Sequence, residues 1–295
     1  MDFRHLKSFI TVAEELNIGR AAKRLCISQP PLTRQIQQLE EDVGASLLIR
    51  TARGVELTEA GRVFLGEARN ILSLARLAVE RSHKAALGKL GRIDVGIFGS
   101  GIFGTIPKML LAYRQACPEV NVVLHSMNKG EQVEALRQRR INVGFNRLLA
   151  YEPDIVSEVI TMEGLYLALY ESHPLVATGD IHWRELAGQP LVMFPSSTRP
   201  NFIDRAIELC KLEGFEPVIA QEVGDAVYAI ALVASGFGLC IVPESATNLR
   251  LPGVRYRRLV RDPLPMVDLS CIYRRDDDSA ILQSFLDVGR TFRAE

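Results

Sequence analysis

The chain has 295 residues, 47% of them hydrophobic, with 35 basic and 35 acidic side chains and a formal net charge of zero. That length buries two or three modest domains, and the neutral total excludes a protein that holds nucleic acid through global positive charge, leaving a local patch for that role. Five cysteines, Cys26, Cys117, Cys210, Cys240 and Cys271, are odd in number and lack Cys-x-x-Cys spacing, which reads as small buried side chains of a reduced compartment rather than a disulfide scaffold.

In chain order, Phe3–Glu15 reads as an amphipathic helix with Leu6, Phe9, Ile10 and Ala13 on one side. Asn17 can cap a second, short helix from Ile18 to Leu25, in which Ala21 and Ala22 allow close helix contact. After Cys26-Ile27, Ser28 is a good N-cap for a third helix. Pro30 and Pro31 are tolerated there because first-turn N–H groups lack intrahelical acceptors. Leu32, Ile36, Leu39 and Val43 form its apolar stripe; at about 100° per residue, Pro30, Thr33, Arg34 and Gln37 fall on the other side. Gly44 suits a left-handed C′ position. Two short extended runs within 47–57 follow, around a turn carrying Arg50 and Arg53.

Helix, short turn, helix with an outward polar start, then a basic hairpin, is the plan of a winged helix-turn-helix. Ser28, Gln29, Pro30, Pro31, Thr33, Arg34, Gln37, Arg50 and Arg53 are the candidate contacts to double-stranded DNA. Arg20, Lys23 and Arg24 add to the local positive charge.

Thr58 caps one long helix over 59–88. Phe64, Ala68, Ile71, Ala75, Ala78, Ser82 and Ala85 alternate spacings of four and three, with Leu65, Leu72, Val79 and Ala86 alongside. Sustained for about three heptads, this is a coiled-coil seam, and two symmetric DNA half-sites call for two readers. Packing on the helix's own domain is the alternative. Gly88 and Gly91 end the helix and open a hinge.

Beyond Gly91 the chain alternates short apolar runs with helical stretches, the pattern of an α/β protein. Strands are expected at Ile93–Ile97, Val120–His125, Val143–Phe145, Leu165–Tyr170, Leu191–Met193, Val218–Val223, Leu239–Val242 and Leu269–Tyr273. Helices are expected at Phe103–Gln115, Lys129–Arg139, Pro200–Glu213, Asp225–Ser235 and Ser279–Arg293. Strand Ile93–Ile97 runs into Gly99-Ser100-Gly101 and a helix start, a cradle for a carboxylate. Its counterpart is Phe194–Phe202, and Lys129 and Arg147 supply cations near the first loop, with a solvated or structural salt-bridge role the alternative for Arg147. Together these loops would hold a ligand with two acidic ends.

No enzyme chemistry emerges. The histidines (His5, His83, His125, His173, His182) lack metal-ligand spacing, and Phe98-Gly99-Ser100-Gly101 is neither a nucleophile elbow nor a phosphate loop. No cofactor or metal site is expected. A solute-binding protein would explain the α/β part but not the helix-turn-helix. No signal peptide or membrane-length apolar run is visible, so a cytoplasmic location is expected.

Phe3-Arg4-His5-Leu6, Ala21-Ala22 with Leu25, Ser28-Gln29-Pro30-Pro31, Leu39-Glu40, Gly44 and Leu57-Thr58-Glu59-Ala60-Gly61 resemble the DNA-binding domain of LysR-type transcriptional regulators. The resemblance covers the whole chain in length and element order. Gln29-Pro30-Pro31 with Pro195-Ser196-Ser197 and Arg199-Pro200-Asn201-Phe202 is similar to the branch regulating catechol, chlorocatechol and benzoate degradation.

The resemblance implies an α/β fold. A winged helix-turn-helix (1–58) and a dimerising linker helix (59–88) would precede a two-lobed effector domain like periplasmic solute-binding proteins. Lobe I would take 92–161 plus 268–295 and lobe II 162–267, with crossings near Thr161 and Asp268. It also implies an activator that assembles as a homotetramer (a dimer of dimers), contacts RNA polymerase and answers to a small dicarboxylate inducer such as cis,cis-muconate or a chloromuconate. A regulator of another pathway, with an aromatic-acid or amino-acid-related effector, is the alternative. Ser100, Lys129, Arg147, Asn201 and Phe202 are the positions implied to line the effector cleft. The chain departs from some relatives at Lys129, where they carry a small hydroxyl, and at Asn146, where several carry a small residue.

Overall fold

The computed structural model describes residues 1–51, 54–196, 199 and 201–293. The chain divides into two compact units, Met1–His83 and Lys84–Glu295.

In the first unit, α1 (Phe3–Glu15), α2 (Ile18–Arg24) and α3 (Gln29–Val43) precede the antiparallel strands β1 (Leu48–Thr51) and β2 (Gly54–Leu57) and the long α4 (Glu59–Ala86). Leu6, Phe9, Val12, Ala21, Ala22, Leu32, Ile36, Leu39 and Leu47 make the core. Val43, beyond the last buried residue of α3, is exposed. The Asn17 side chain accepts from Arg20 N and caps α2; Thr58 Oγ1 accepts from Gly61 N (2.8 Å) and caps α4. Glu40 Oε1 accepts from the N–H groups of Leu47 and Leu48 (2.7 and 3.0 Å), fixing the chain where it leaves α3 for the wing.

The heptad seam of α4 divides in two. Ala68 is buried, and Phe64, Leu65, Ile71 and Leu72 pack on the unit's own core, with the Phe9 and Phe64 rings 5.4 Å apart. From Arg76 to His83 every side chain is exposed, Val79 by 72%. The first half of the expected seam is therefore spent within the unit, and only the second half, with Ala78, Val79 and Ser82, is open to a partner.

The second unit contains β3 (Leu90–Ile97), α5 (Thr105–Ala116), β4 (Glu119–Ser126), α6 (Lys129–Arg137), β5 (Val143–Asn146), β6 (Ile155–Tyr170), β7 (Ile181–His182), β8 (Pro190–Met193), α7 (Phe202–Leu212), β9 (Val218–Glu222), α8 (Ala226–Ala234), β10 (Cys240–Pro243), β11 (Val254–Val260), β12 (Met266–Arg274) and α9 (Ala280–Arg290). Its main sheet runs β4-β3-β5-β12-β6-β11-β7, with β10 also paired to β6. Strands β3, β4 and β5 are parallel, whereas β12 is antiparallel to both β5 and β6. Strand β6 is shared: its first part pairs with β12, and Leu165–Tyr170 pairs with β10 and β11.

One apolar cluster collects Ile93, Val95, Ile160, Leu269 and Phe285; another collects Leu165, Val267 and the buried faces of α7 and α8. The chain thus passes from one core to the other between residues 160 and 165, and back between 267 and 269. The register between β12 and β6 shifts by one residue between Leu269 and Ser270, at this passage.

Four expectations change here. Strand β6 starts at Ile155, not Leu165, and β3 at Leu90, not Ile93. Strand β11 is absent from the sequence reading because Arg255, Arg257 and Arg258 hide its alternation; Val254 and Leu259 alone are buried along it. Gly88 is no open hinge: with φ of 66°, a methyl there would overlap the Ala280 carbonyl, and Ser284 Oγ donates to the Gly88 carbonyl (3.1 Å). Among the described residues no helix is long and apolar enough to cross a membrane.

Candidate functional sites

On the first unit, α3 presents Ser28, Gln29, Pro30, Pro31, Arg34 and Gln37 to solvent, with Thr33 half-buried. Arg50 on β1 is exposed too; Arg53 lies outside the described residues. The structure corrects the role of Ser28. An N-cap side chain accepts from the second or third helical N–H, and those positions are Pro30 and Pro31, which have none. Ser28 makes no side-chain cap hydrogen bond, so its exposed hydroxyl is not used by the helix it begins.

The local basic patch is narrower than composition suggests. Arg24 pairs with Glu14 and Glu15 (3.0 and 3.1 Å), Glu14 also pairs with Arg69 of α4 (2.9 Å), and Arg20 reaches Glu15 (3.5 Å). The Arg69 and Arg24 guanidinium groups hold the Glu14 carboxyl below its ordinary range. Lys23, Arg34 and Arg50 are exposed on the same unit, and the polar start of α3 lies among them in sequence.

An expected result follows: Ser28→Ala leaves thermal stability within about 0.5 kcal/mol, against about 1 kcal/mol for Asn17→Ala, whose side chain does cap a helix. Operator affinity of the Ser28 variant falls. Differential scanning fluorimetry and fluorescence anisotropy measure the two effects, and a Ser28 variant as destabilised as the Asn17 one would contradict this assignment.

In the second unit, the ends of β3 and β5, the start of α6 and the starts of α7 and α8 converge on a cavity of about 650 Å³ including its mouth. All five expected positions, Ser100, Lys129, Arg147, Asn201 and Phe202, line it. They differ in what they have left to offer. Ser100, 3% exposed in the 3-10 turn Gly99–Phe103, has a hydroxyl that makes no hydrogen bond to any described residue. Lys129 opens α6 behind the Asn128–Glu131 capping box; its Nζ donates to the Leu148 carbonyl (2.8 Å), and burial pushes its pKa down against the opposing charges of Asp268 and Asp204.

Arg147 and Asn201 line the cavity and also hold the fold around it. The Arg147 guanidinium is held by Glu163 Oε1 (2.9 Å), the Asp268 carbonyl (3.0 Å) and Ser245 Oγ (3.3 Å). Glu163 also accepts from Ser245 N (3.1 Å), so the pair ties the passage strands β6 and β12 to the turn Glu244–Asn248. Asn201 is the N-cap of α7: its Oδ1 accepts from Ile203 N (2.8 Å) and its Nδ2 donates to the Pro195 carbonyl (2.9 Å). It shapes the Phe194-Pro195 wall. Phe202 stacks near Phe194, with centroids 5.6 Å apart. Ser197, Thr198 and Pro200 of the expected second-lobe loop lie outside the described residues.

The sequence reading missed Phe145, Pro243 and Leu269, which with Phe194 give the cavity its apolar walls, and Asp225. Asp225 caps α8 by accepting from Val227 and Tyr228 N–H (2.8 and 3.1 Å). Its signal was present, as an acid opening a helix in the same lobe as the second loop. The cavity's cations, Lys129 and Arg147, therefore stand on one side of the passage, and the other side contributes aromatic rings and an acid.

The thiols of Cys210, Cys240 and Cys271 are pushed up by burial, and Cys117 is buried too. Cys26, exposed in the turn before α3, is the exception. With a thiol reagent under native conditions, fast reaction of one thiol per chain is expected, lost in Cys26→Ser; fast reaction of two or more would contradict this burial pattern.

Residues 3–62 match the family model "Bacterial regulatory helix-turn-helix protein, lysR family", and residues 87–292 match "LysR substrate binding domain". The HTH-type transcriptional regulator TfdS of Cupriavidus pinatubonensis is 42% identical over 290 residues, covering 98% of each chain. The solved structure of CbnR, a LysR family transcriptional regulator, is 42% identical and superposes with a TM-score of 0.93 over 98% of this chain and 100% of that one. Full-length CbnR complexed with its target DNA superposes at 0.88, over 99% of both. The BenM effector binding domain with its effector benzoate is 31% identical, with a TM-score of 0.63 over 68% of this chain and 91% of that one. Two family models side by side over nearly the whole length, and a full-length relative of the same architecture, make this chain a member of the LysR family: a helix-turn-helix transcriptional regulator, not an enzyme.

Proposed function

We propose that this regulator is an activator of an operon for degradation of catechol-type or chlorinated aromatic compounds, working in the cytoplasm and switched by a small carboxylate. The start of α3 enters the major groove, with Arg34 and Gln37 reading base edges and Ser28, Gln29, Thr33 and Arg50 positioning the helix on phosphates. The exposed half of α4 pairs with a second copy, and two such dimers form a tetramer that bends DNA between two operator segments. Supporting the DNA reading is the CbnR complex with its target DNA. The inducer closes the cavity, shifts the two lobes and relaxes the bend so that RNA polymerase can be contacted. It can do this only by binding one tetramer form more tightly than the other.

The observation that carries the inducer class is the cavity lining. Half-buried Lys129 and Ser100, whose hydroxyl makes no hydrogen bond to any described residue, line the cavity together with Phe145, Phe194, Phe202, Pro243 and Leu269. A cation and a hydroxyl in a largely apolar cavity suit an unsaturated or aromatic carboxylate, and benzoate is the effector named for the BenM domain. cis,cis-Muconate and its chlorinated forms are the first acids to test.

Ser100→Ala is the test. Operator affinity stays at the wild-type level. The acid concentration for half-maximal induction in a reporter assay rises about tenfold, as expected for losing a hydrogen bond to a charged group worth about 1.5 kcal/mol. A normal dose response would place the inducer elsewhere.

A further inference from the structure

Asn146, at the end of β5, lines the cavity and is only 6% exposed. Its amide cannot face either way. Gln132 of α6 is fully buried, and its Nε2 donates to the Met127 carbonyl (2.9 Å). A carbonyl only accepts, so Gln132 must turn its nitrogen there and its Oε1 the other way. That Oε1 then accepts from Asn146 Nδ2 (3.0 Å), which turns Asn146 Oδ1 away from Gln132. Asn146 Oδ1 accepts no hydrogen bond from any described residue, and the open space beside Asn146 is the cavity.

The backbone is built around this arrangement. Gly96 of β3 and Gly144 of β5 are register partners on adjacent strands. A methyl at Gly144 would overlap Gln132 Oε1, and one at Gly96 would stand 3.0 Å from its Cγ. Two missing side chains make the notch in which the buried Gln132 lies. Ser100 can donate or accept as its hydroxyl turns. Asn146 turns its Oδ1 acceptor away from Gln132, and Asp225 adds a second acceptor group to the lining.

We propose that Asn146, positioned by Gln132, is the specificity-determining residue of the cavity, and that the effector is a carboxylic acid carrying a hydrogen-bond donor, such as a hydroxyl, on its apolar body. This rests on the carboxylate reading above and narrows it. A bare dianion offers Asn146 Oδ1 nothing but lone pairs, and a site built to bond a hydroxyl rejects the analogue that lacks one. Gln132 is a positioning residue: it touches no ligand and holds the amide of one that does.

The test is isothermal titration of the full-length protein with matched acids: benzoate against 2-, 3- and 4-hydroxybenzoate, succinate against malate, and cis,cis-muconate against 2-hydroxymuconate. At least one hydroxylated acid is expected to bind about tenfold or more tightly than its bare partner, and Asn146→Ala to bring that ratio within about twofold. Gln132→Leu keeps Asn146 but frees its amide to turn its NH₂ toward the cavity. The hydroxyl preference should shrink while the bare acid gains, a result that mere loosening of the fold would not give. If the bare acids bind as well as or better than every hydroxylated partner, or if Asn146→Ala preserves the ratio, the proposal fails and the carboxylate reading stands. If no acid of either kind binds, both fail.

Discussion

Replacing Glu163 by alanine is expected to destabilise the 84–295 unit by about 3–5 kcal/mol, the cost of leaving a buried guanidinium without its counter-charge. The Arg147 and Glu163 side chains are 13% and 8% exposed and bond to each other at 2.9 Å. The second Glu163 oxygen takes Ser245 N, and Arg147 also takes the Asp268 carbonyl, so removing the acid strands several polar groups at once. Arg147→Met with Glu163→Leu should recover most of that loss, because an apolar pair of similar volume has no desolvation penalty. Urea unfolding followed by tryptophan fluorescence reads this unit alone, since the chain's single tryptophan, Trp183, is buried within it. A loss below about 1 kcal/mol would mean the pair behaves as an exposed one.

Gly61→Ala is expected to cost the first unit about 2–3 kcal/mol, although alanine is the better helix former by about 1 kcal/mol. Gly61 sits in the first turn of α4, and a methyl there would overlap the Leu47 carbonyl oxygen, with Leu57 Cδ2 at 3.1 Å. Leu47 cannot yield. It is fully buried, its N–H is fixed by Glu40, and its carbonyl accepts from Thr58 N (3.0 Å). The helix must therefore lift off the helix-turn-helix core or bend. Loss of operator affinity should accompany a lower circular-dichroism melting temperature for this unit, with the Trp183 transition unmoved. Wild-type melting of both units would show that the contact relaxes freely.

These two sites also show how far the sequence could be read. Leu57-Thr58-Glu59-Ala60-Gly61 was legible as part of a resemblance, and Thr58 as a cap, but the need for Gly61 is a contact with a carbonyl ten or more residues away in sequence. The helices of the first unit followed from apolar period and capping chemistry, which act within one turn. Ser28 was misjudged because its capping partners were counted as N–H groups although two prolines fill those positions. The five cleft positions converge on one cavity, but the protein partners of Arg147 and Asn201 were not legible. What engages them, Glu163, Ser245 and the carbonyls of Asp268 and Pro195, comes from strands and turns whose approach no periodicity reveals. Strand β11 was lost for a related reason: it is only partly covered, and arginines occupy its open positions.

The central claim is that a small acid in the second unit resets how the DNA-reading units are held. The direct measurement is the bend angle of DNA from upstream of the protein's own gene, taken by circular-permutation gel mobility with full-length protein. It is compared without ligand and at saturation with the tightest-binding acid of the calorimetric panel. A smaller bend with the acid, reached in Ser100→Ala only at about tenfold higher acid concentration, is the predicted result. An identical bend with and without an acid that demonstrably binds would contradict the account.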